Sequence, residues 1–95
     1  MGEDKKSAII GLLRQNITVI ENGIIVSPLM VAQVYNEMKP QDNKNYHGIF
    51  IKCFAIAVHE NMVQKFKGTG REIDLFESMV YAQRYINVLE EDNQI

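Results

Sequence analysis

The sequence predicts a mostly α fold, a four-helix domain with one β-hairpin between helices 1 and 2. Three observations carry this. Between Ile49 and Val58 only Lys52 is charged, and beyond it Val58, Met62, Val63 and Phe66 recur at helical spacing. Asn22-Gly23 lies between two runs rich in β-branched residues, 17–20 and 24–26, which is the pattern of a two-residue hairpin turn. Ser27-Pro28 opens another apolar-periodic segment and Pro40 closes it.

The central stretch, residues 46–66, organises the rest. Its Ile, Phe and Val content favours strand, but a globular strand seldom runs past about ten residues. The spacing predicts a helix from near Asn45 or Tyr46 to Lys67, with Gly68 supplying the left-handed residue behind it. Its first half is apolar nearly all round, so it should be buried on most sides, with Phe54 and Ile56 in the core.

The other elements follow in chain order. Residues 3–15 read as a first helix: Glu3 and Asp4 near the start and Arg14 near the end suit the macrodipole, and Ala8, Ile9, Leu12 and Leu13 form its stripe. A type I′ turn at Asn22-Gly23 would pair Glu21 with Ile24, Ile20 with Ile25 and Val19 with Val26, with positive φ at both turn residues. An irregular loop tucked over the core is the alternative. Ser27 caps the second helix and Pro28 takes its first position, where a missing N–H does no harm. Thr69 and Glu72 stand in capping-box spacing, so the last helix is expected over about residues 70–90, with Leu75, Met79, Ala82, Ile86 and Leu89 facing the core. Glu90-Glu91-Asp92 opposes the dipole at its end, which predicts a mobile acidic C-terminal tail on a single helical domain spanning 1–95.

Composition narrows the function classes. Ninety-five residues make one domain, and 46% hydrophobic with 23% charged residues is a globular rather than a disordered balance. A net charge of −2 gives no basic footprint for nucleic acid across the chain. The one cysteine, Cys53, sits in the most apolar run, so there is no disulfide framework and a reducing compartment is expected. The apolar run at 49–58 is about half a membrane span. Residues 1–7 are too acidic for a signal peptide, and a myristoylation pattern fails at Lys6. The expectation is a cytoplasmic protein with no membrane partner.

No constellation of residues carries a recognisable reaction. His47, Cys53 and His59 are six residues apart in turn, which at ~100° per residue points them about 120° from one another on one helix. Neither a metal nor a cofactor is expected. Ser7, Ser27 and Ser78 lie in no nucleophile elbow, so no catalytic residue is nominated and the chain is not read as an enzyme. Lys65, Lys67, Thr69 and Arg71 surround two glycines in front of the last helix, where cations, free N–H groups and a positive dipole end would together hold an anion. An ordinary helix–helix turn with solvated charges accounts for the same residues. A DNA-reading helix needs exposed basic and amide side chains. The second helix offers Gln33, Asn36 and Lys39 with Glu37 against them, and the first offers Lys5, Lys6, Arg14 and Gln15.

Association is better supported. Tyr81, Tyr85 and Val88 recur at spacings of four and three beside the core stripe of the last helix, and such a flank suits a homodimer or another protein partner. The function expected is a small protein-interaction or regulatory module, self-associating through an apolar helical surface. A DNA-binding transcriptional regulator with a helical reading element is the alternative, and an unidentified enzyme the third.

Overall fold

The computed structural model describes residues 3–42, 44–93 and 95. The elements run α1 (Glu3–Asn16), β1 (Thr18–Ile20), β2 (Gly23–Ile25), α2 (Pro28–Met38), α3 (Tyr46–Phe66) and α4 (Leu75–Glu91). This is a mostly α domain of four helices, with a two-stranded antiparallel hairpin between the first and second.

The centre is α3. Tyr46, Phe50, Cys53, Phe54, Ala55, Ala57, Val58, Met62 and Phe66 are all buried, and at ~100° per residue they sweep roughly 220° of the helix. Both α1 and α4 pack along it, and β1 lies against it. From α1 come Ile9 and Leu13, from the hairpin region Ile17, Val19 and Val26, and from α4 Ala82, Ile86 and Leu89. The ring of Tyr35 carries α2 onto this centre, meeting Tyr46 and Phe50 edge-on at 5.0 Å each. Edge-to-face contact at that spacing suits the ring quadrupoles.

Two boundaries form as their residue types dictate. The Ser27 hydroxyl accepts a hydrogen bond from the Met30 N–H at 3.4 Å, with Pro28 as the first helical residue. At the end of α3, Gly68 takes φ of +79°, and the Thr69 hydroxyl donates to the Phe66 carbonyl at 2.7 Å. That satisfies one of the carbonyls a helix end leaves without an internal partner.

The structure corrects the sequence reading at four places. The hairpin pairs Thr18 with Ile25, Val19 with Ile24 and Ile20 with Gly23, so its turn residues are Glu21-Asn22. Among the described residues positive φ occurs only at Gly68, Gly70 and Asn93, so the turn keeps negative φ, as in type I. The expected and observed registers differ by two residues, which leaves every side chain on the same face; burial therefore could not choose between them. Second, α4 begins at Leu75 rather than near 70. Residues 71–74 run on outside the helix, which lets Ile73 pack against the core, and Asp74 caps the helix by accepting from the Glu77 N–H at 2.7 Å. Third, Ile56 is only half-buried, because it falls in the arc of α3 that no other element covers. Fourth, Leu75 and Met79, expected in the core stripe, are exposed.

The turn correction makes a test. A Cβ on Gly23 would meet nothing within 4 Å, and its φ is not positive. Gly23→Ala should therefore raise stability by about 0.4–1 kcal/mol through the unfolded chain. A marked fall in the denaturation midpoint would restore a turn that needs glycine there.

Candidate functional site

The arc of α3 left outside the core carries Ile49, Lys52, Ile56, His59 and Val63. Their alternation of three and four residues is the spacing of a helix seam that packs against another helix. Ile49 and Ile56 are half-buried, and Val63 is 44% exposed. Beside this seam the first turns of α4 present Leu75, Phe76 and Met79, which are 47%, 76% and 39% exposed. Lys52, Ala55, Ile56, Leu75 and Met79 together line a groove of about 230 Å³ between the two helices. On the other edge of the seam, toward α1, Glu60 holds Arg14 at 3.0 Å.

The groove follows from the shape of the 67–74 connection. By the time α4 begins, its core side is set by Ser78, Ala82, Ile86 and Leu89. Leu75 and Met79 sit to one side of that line, near its open end. The opposite flank of α4 is used inside the domain. The Tyr85 hydroxyl donates to the Val26 carbonyl at 2.6 Å, and its ring stacks on Phe54 at 5.6 Å and 11°. Tyr85 is thus a strut joining α4, α3 and the hairpin, and burial pushes its hydroxyl pKa up. Tyr81 is half-buried against the core, while Val88 is 53% exposed. Of the three residues expected to form one open flank, the structure turns two inward and leaves the third in solvent.

The residues nominated for anion binding are rearranged by the late start of α4. The Asp74 carboxylate occupies the donor end of that helix, four residues beyond Gly70, by accepting from the Glu77 N–H. The Thr69 hydroxyl is committed to the Phe66 carbonyl, and accepts from the Arg71 N–H at 3.4 Å. The Arg71 guanidinium lies 4.1 Å over the Phe66 ring, a cation–π contact. Lys65 and Lys67 are exposed. A shallow cleft there is lined by Lys67 and Arg71, but also by Glu72. An anion site here would rest on cations alone, with a carboxylate among them.

Groups with chemical potential are scattered. His47 pairs through Nε2 with Glu90 at 2.6 Å. Burial pushes the Cys53 thiol up, away from the reactive thiolate. The Tyr46 hydroxyl and His59 Nδ1 are buried without a hydrogen-bond partner. Among the described residues no three His, Cys, Asp or Glu side chains converge as a metal site would need. Among the described residues no helix is long and apolar enough to cross a membrane. The exposed side of α2 carries Gln33, Asn36 and Glu37, and Lys39 at its end lies over the Tyr35 ring at 5.7 Å.

Sequence reasoning placed Leu75 and Met79 in the core, where the structure leaves them exposed. The signal for the seam was present in the three-four spacing of 49, 52, 56, 59 and 63; the signal for the groove was not, since Leu75 and Met79 share the phase of the α4 core stripe and only the packing shows that the core does not reach them. The fold and this face define a small helical domain with an open apolar groove. No family model matches the chain, and neither the curated proteins nor the solved structures contain a match.

Two tests follow. Tyr85→Phe should cost about 1 kcal/mol, the ordinary net worth of one hydrogen bond, without altering self-association measured by sedimentation. A change in association at unchanged stability would move Tyr85 to an interface. The second concerns alkaline pH. Burial raises the pKa of Tyr35, Tyr46, Tyr85 and Cys53. The folded protein then keeps protons that the unfolded chain releases, so their contribution is full at neutral pH and is lost as pH rises. Unfolding free energy should fall from about pH 9 and more steeply above about pH 10. A flat profile from pH 8 to 11 in urea denaturation would contradict this.

Proposed function

We propose that the protein is a small interaction module that docks a helical protein surface on its α3–α4 face. The observation that carries this is the continuous apolar strip of Ile56, Leu75, Phe76 and Met79, with Val63 further along the seam. Large apolar side chains gathered on one face of a small domain, rather than scattered singly, mark interaction sites. The groove is also the kind of cleft that takes an amphipathic helix, whose anchors recur at three and four residues. A single buried cysteine suits a cytoplasmic setting.

The test uses a labelled model peptide, an amphipathic helix with leucines at three-four spacing. It should bind the wild type, and bind the Ile56→Asp/Met79→Asp variant at least about tenfold more weakly, because charge placed in an apolar groove must be desolvated on docking. Helicity by circular dichroism should be equal in the two proteins. Equal peptide binding to both would overturn the reading.

A further inference from the structure

We propose that the helix this face takes is an acidic one, with apolar anchors in the α3–α4 groove and, on one flank, two carboxylates seven residues apart that meet Lys52 and His59. The proposal rests on the docking reading above and adds the charge of the partner and its spacing.

The argument starts from the charge that the domain leaves unmatched. Two ionised side chains of α3 border its exposed arc, Lys52 and Glu60, on opposite edges. The Glu60 edge is settled inside the domain, since Arg14 holds that carboxylate at 3.0 Å. The Lys52 edge is not. Lys52 is exposed and has no ion-pair partner among the described residues. Of the residues that line the groove only Lys52 is charged; Ala55, Ile56, Leu75 and Met79 are all apolar. The carboxylates nearest in sequence to the α4 wall are directed elsewhere. Asp74 accepts from the Glu77 N–H at 2.7 Å, and Glu77 itself lies about 160° round the helix from both Leu75 and Met79.

His59 shares the Lys52 rim. It stands seven residues further on, which is within about 20° of the same side and about 10 Å along the axis. Its Nδ1 is buried without a hydrogen-bond partner, which leaves Nε2 as the nitrogen that can donate to a partner. The rim therefore offers two donors at a fixed separation.

A helix laid over the groove removes water from the Lys52 ammonium as well as from Leu75 and Met79. A cation stripped of water with no opposite charge is costly, and a carboxylate set against it offsets that cost. A lysine stem lies along apolar surface while its head stays at the edge, so the match falls on the flank of the partner and not among its anchors. Every α-helix rises by about 1.5 Å per residue, so a helix lying along α3 meets Lys52 and His59 with residues at the same seven-residue spacing. An uncharged partner explains the groove, but it leaves Lys52 dehydrated and unmatched.

The experiment uses the full chain and labelled peptides that share the leucine anchors. One carries glutamate at two flank positions seven residues apart, and a second carries lysine at the same two. At low ionic strength wild type should bind the glutamate peptide at least about tenfold more tightly than the lysine peptide, and the gap should narrow in about 0.5 M salt. Lys52→Glu should reverse the order. Lys52→Met, which keeps the apolar stem, should bring the two peptides much closer together. A third peptide with its glutamates five residues apart keeps the charge but turns one of them about 140° away, and should bind wild type severalfold more weakly than the first. Helicity by circular dichroism should be equal in all the proteins.

Equal binding of the glutamate and lysine peptides, or tighter binding of the lysine peptide, overturns the acidic partner and leaves the docking reading standing. A glutamate preference that Lys52→Met leaves intact overturns it too, because the charge is then read elsewhere. Equal binding of the two glutamate spacings overturns the second contact at His59. A wild type that binds none of the peptides overturns the docking reading itself.

Discussion

Everything in this domain depends on burying one helix that cannot bury itself. Roughly two thirds of the α3 circumference is apolar and out of solvent, including Phe50, Phe54 and Val58 at full burial. A helix so apolar is stable in water only with neighbours on several sides. The chain supplies them from elements both before and after it in sequence. Its α1 lies along one side and α4 along another, β1 covers part of the gap, and α2 closes over the Tyr46 end through Tyr35. At 14 and 17 residues, α1 and α4 are each shorter than the 21-residue α3. The arc that remains is the seam at Ile49, Ile56 and Val63. The open apolar face and the core are thus two parts of one packing problem.

Apolar burial alone does not fix where α1 ends and the hairpin begins. One polar side chain does that. The Asn61 amide donates to the Arg14 carbonyl at 3.0 Å and to the Ile17 carbonyl at 2.9 Å, while its oxygen accepts from Arg14 Nε at 3.2 Å. The carbonyls near a helix C-terminus lack internal partners. Here the fifth turn of α3 provides one across 47 residues of sequence, and ties the entry of β1 to the same point. Arg14 is gripped a second time by Glu60. The direction in which the chain leaves α1, and with it the side of α3 on which the hairpin lands, is set by this small network.

What was legible in the sequence was whatever depends on local residue type. Ser27-Pro28, the Gly68 stop and the length of α3 each follow from backbone rules that act within a few residues. What was not legible depends on competition between distant parts. Two capping patterns were available before α4, one at Thr69 and one at Asp74, and both satisfy the same spacing rule. The choice falls to Asp74 because Ile73 is drawn to the core and Arg71 lies over Phe66, neither of which a sequence window contains. The core reaches only the Ser78, Ala82, Ile86 and Leu89 part of the helix. Leu75 and Met79 pass from expected core to open groove, and Tyr85 passes from expected interface to a hydrogen bond with Val26.

The open face is separable from the core on α4. The core on α4 is closed by Ser78, Ala82, Ile86 and Leu89, with Leu75, Phe76 and Met79 outside it. Ala55 forms part of the groove's lining, and it is buried where a larger side chain would project toward α4. The α4 core and the open face therefore draw on different side chains, although they share two helices. Surface substitutions away from caps and cores shift stability by only about half a kcal/mol. Charge introduced at the groove should therefore be felt chiefly where a partner excludes water from it. The apolar side chains that the monomer leaves in solvent contribute little to its own folding, and a contact that covers them supplies the burial they lack.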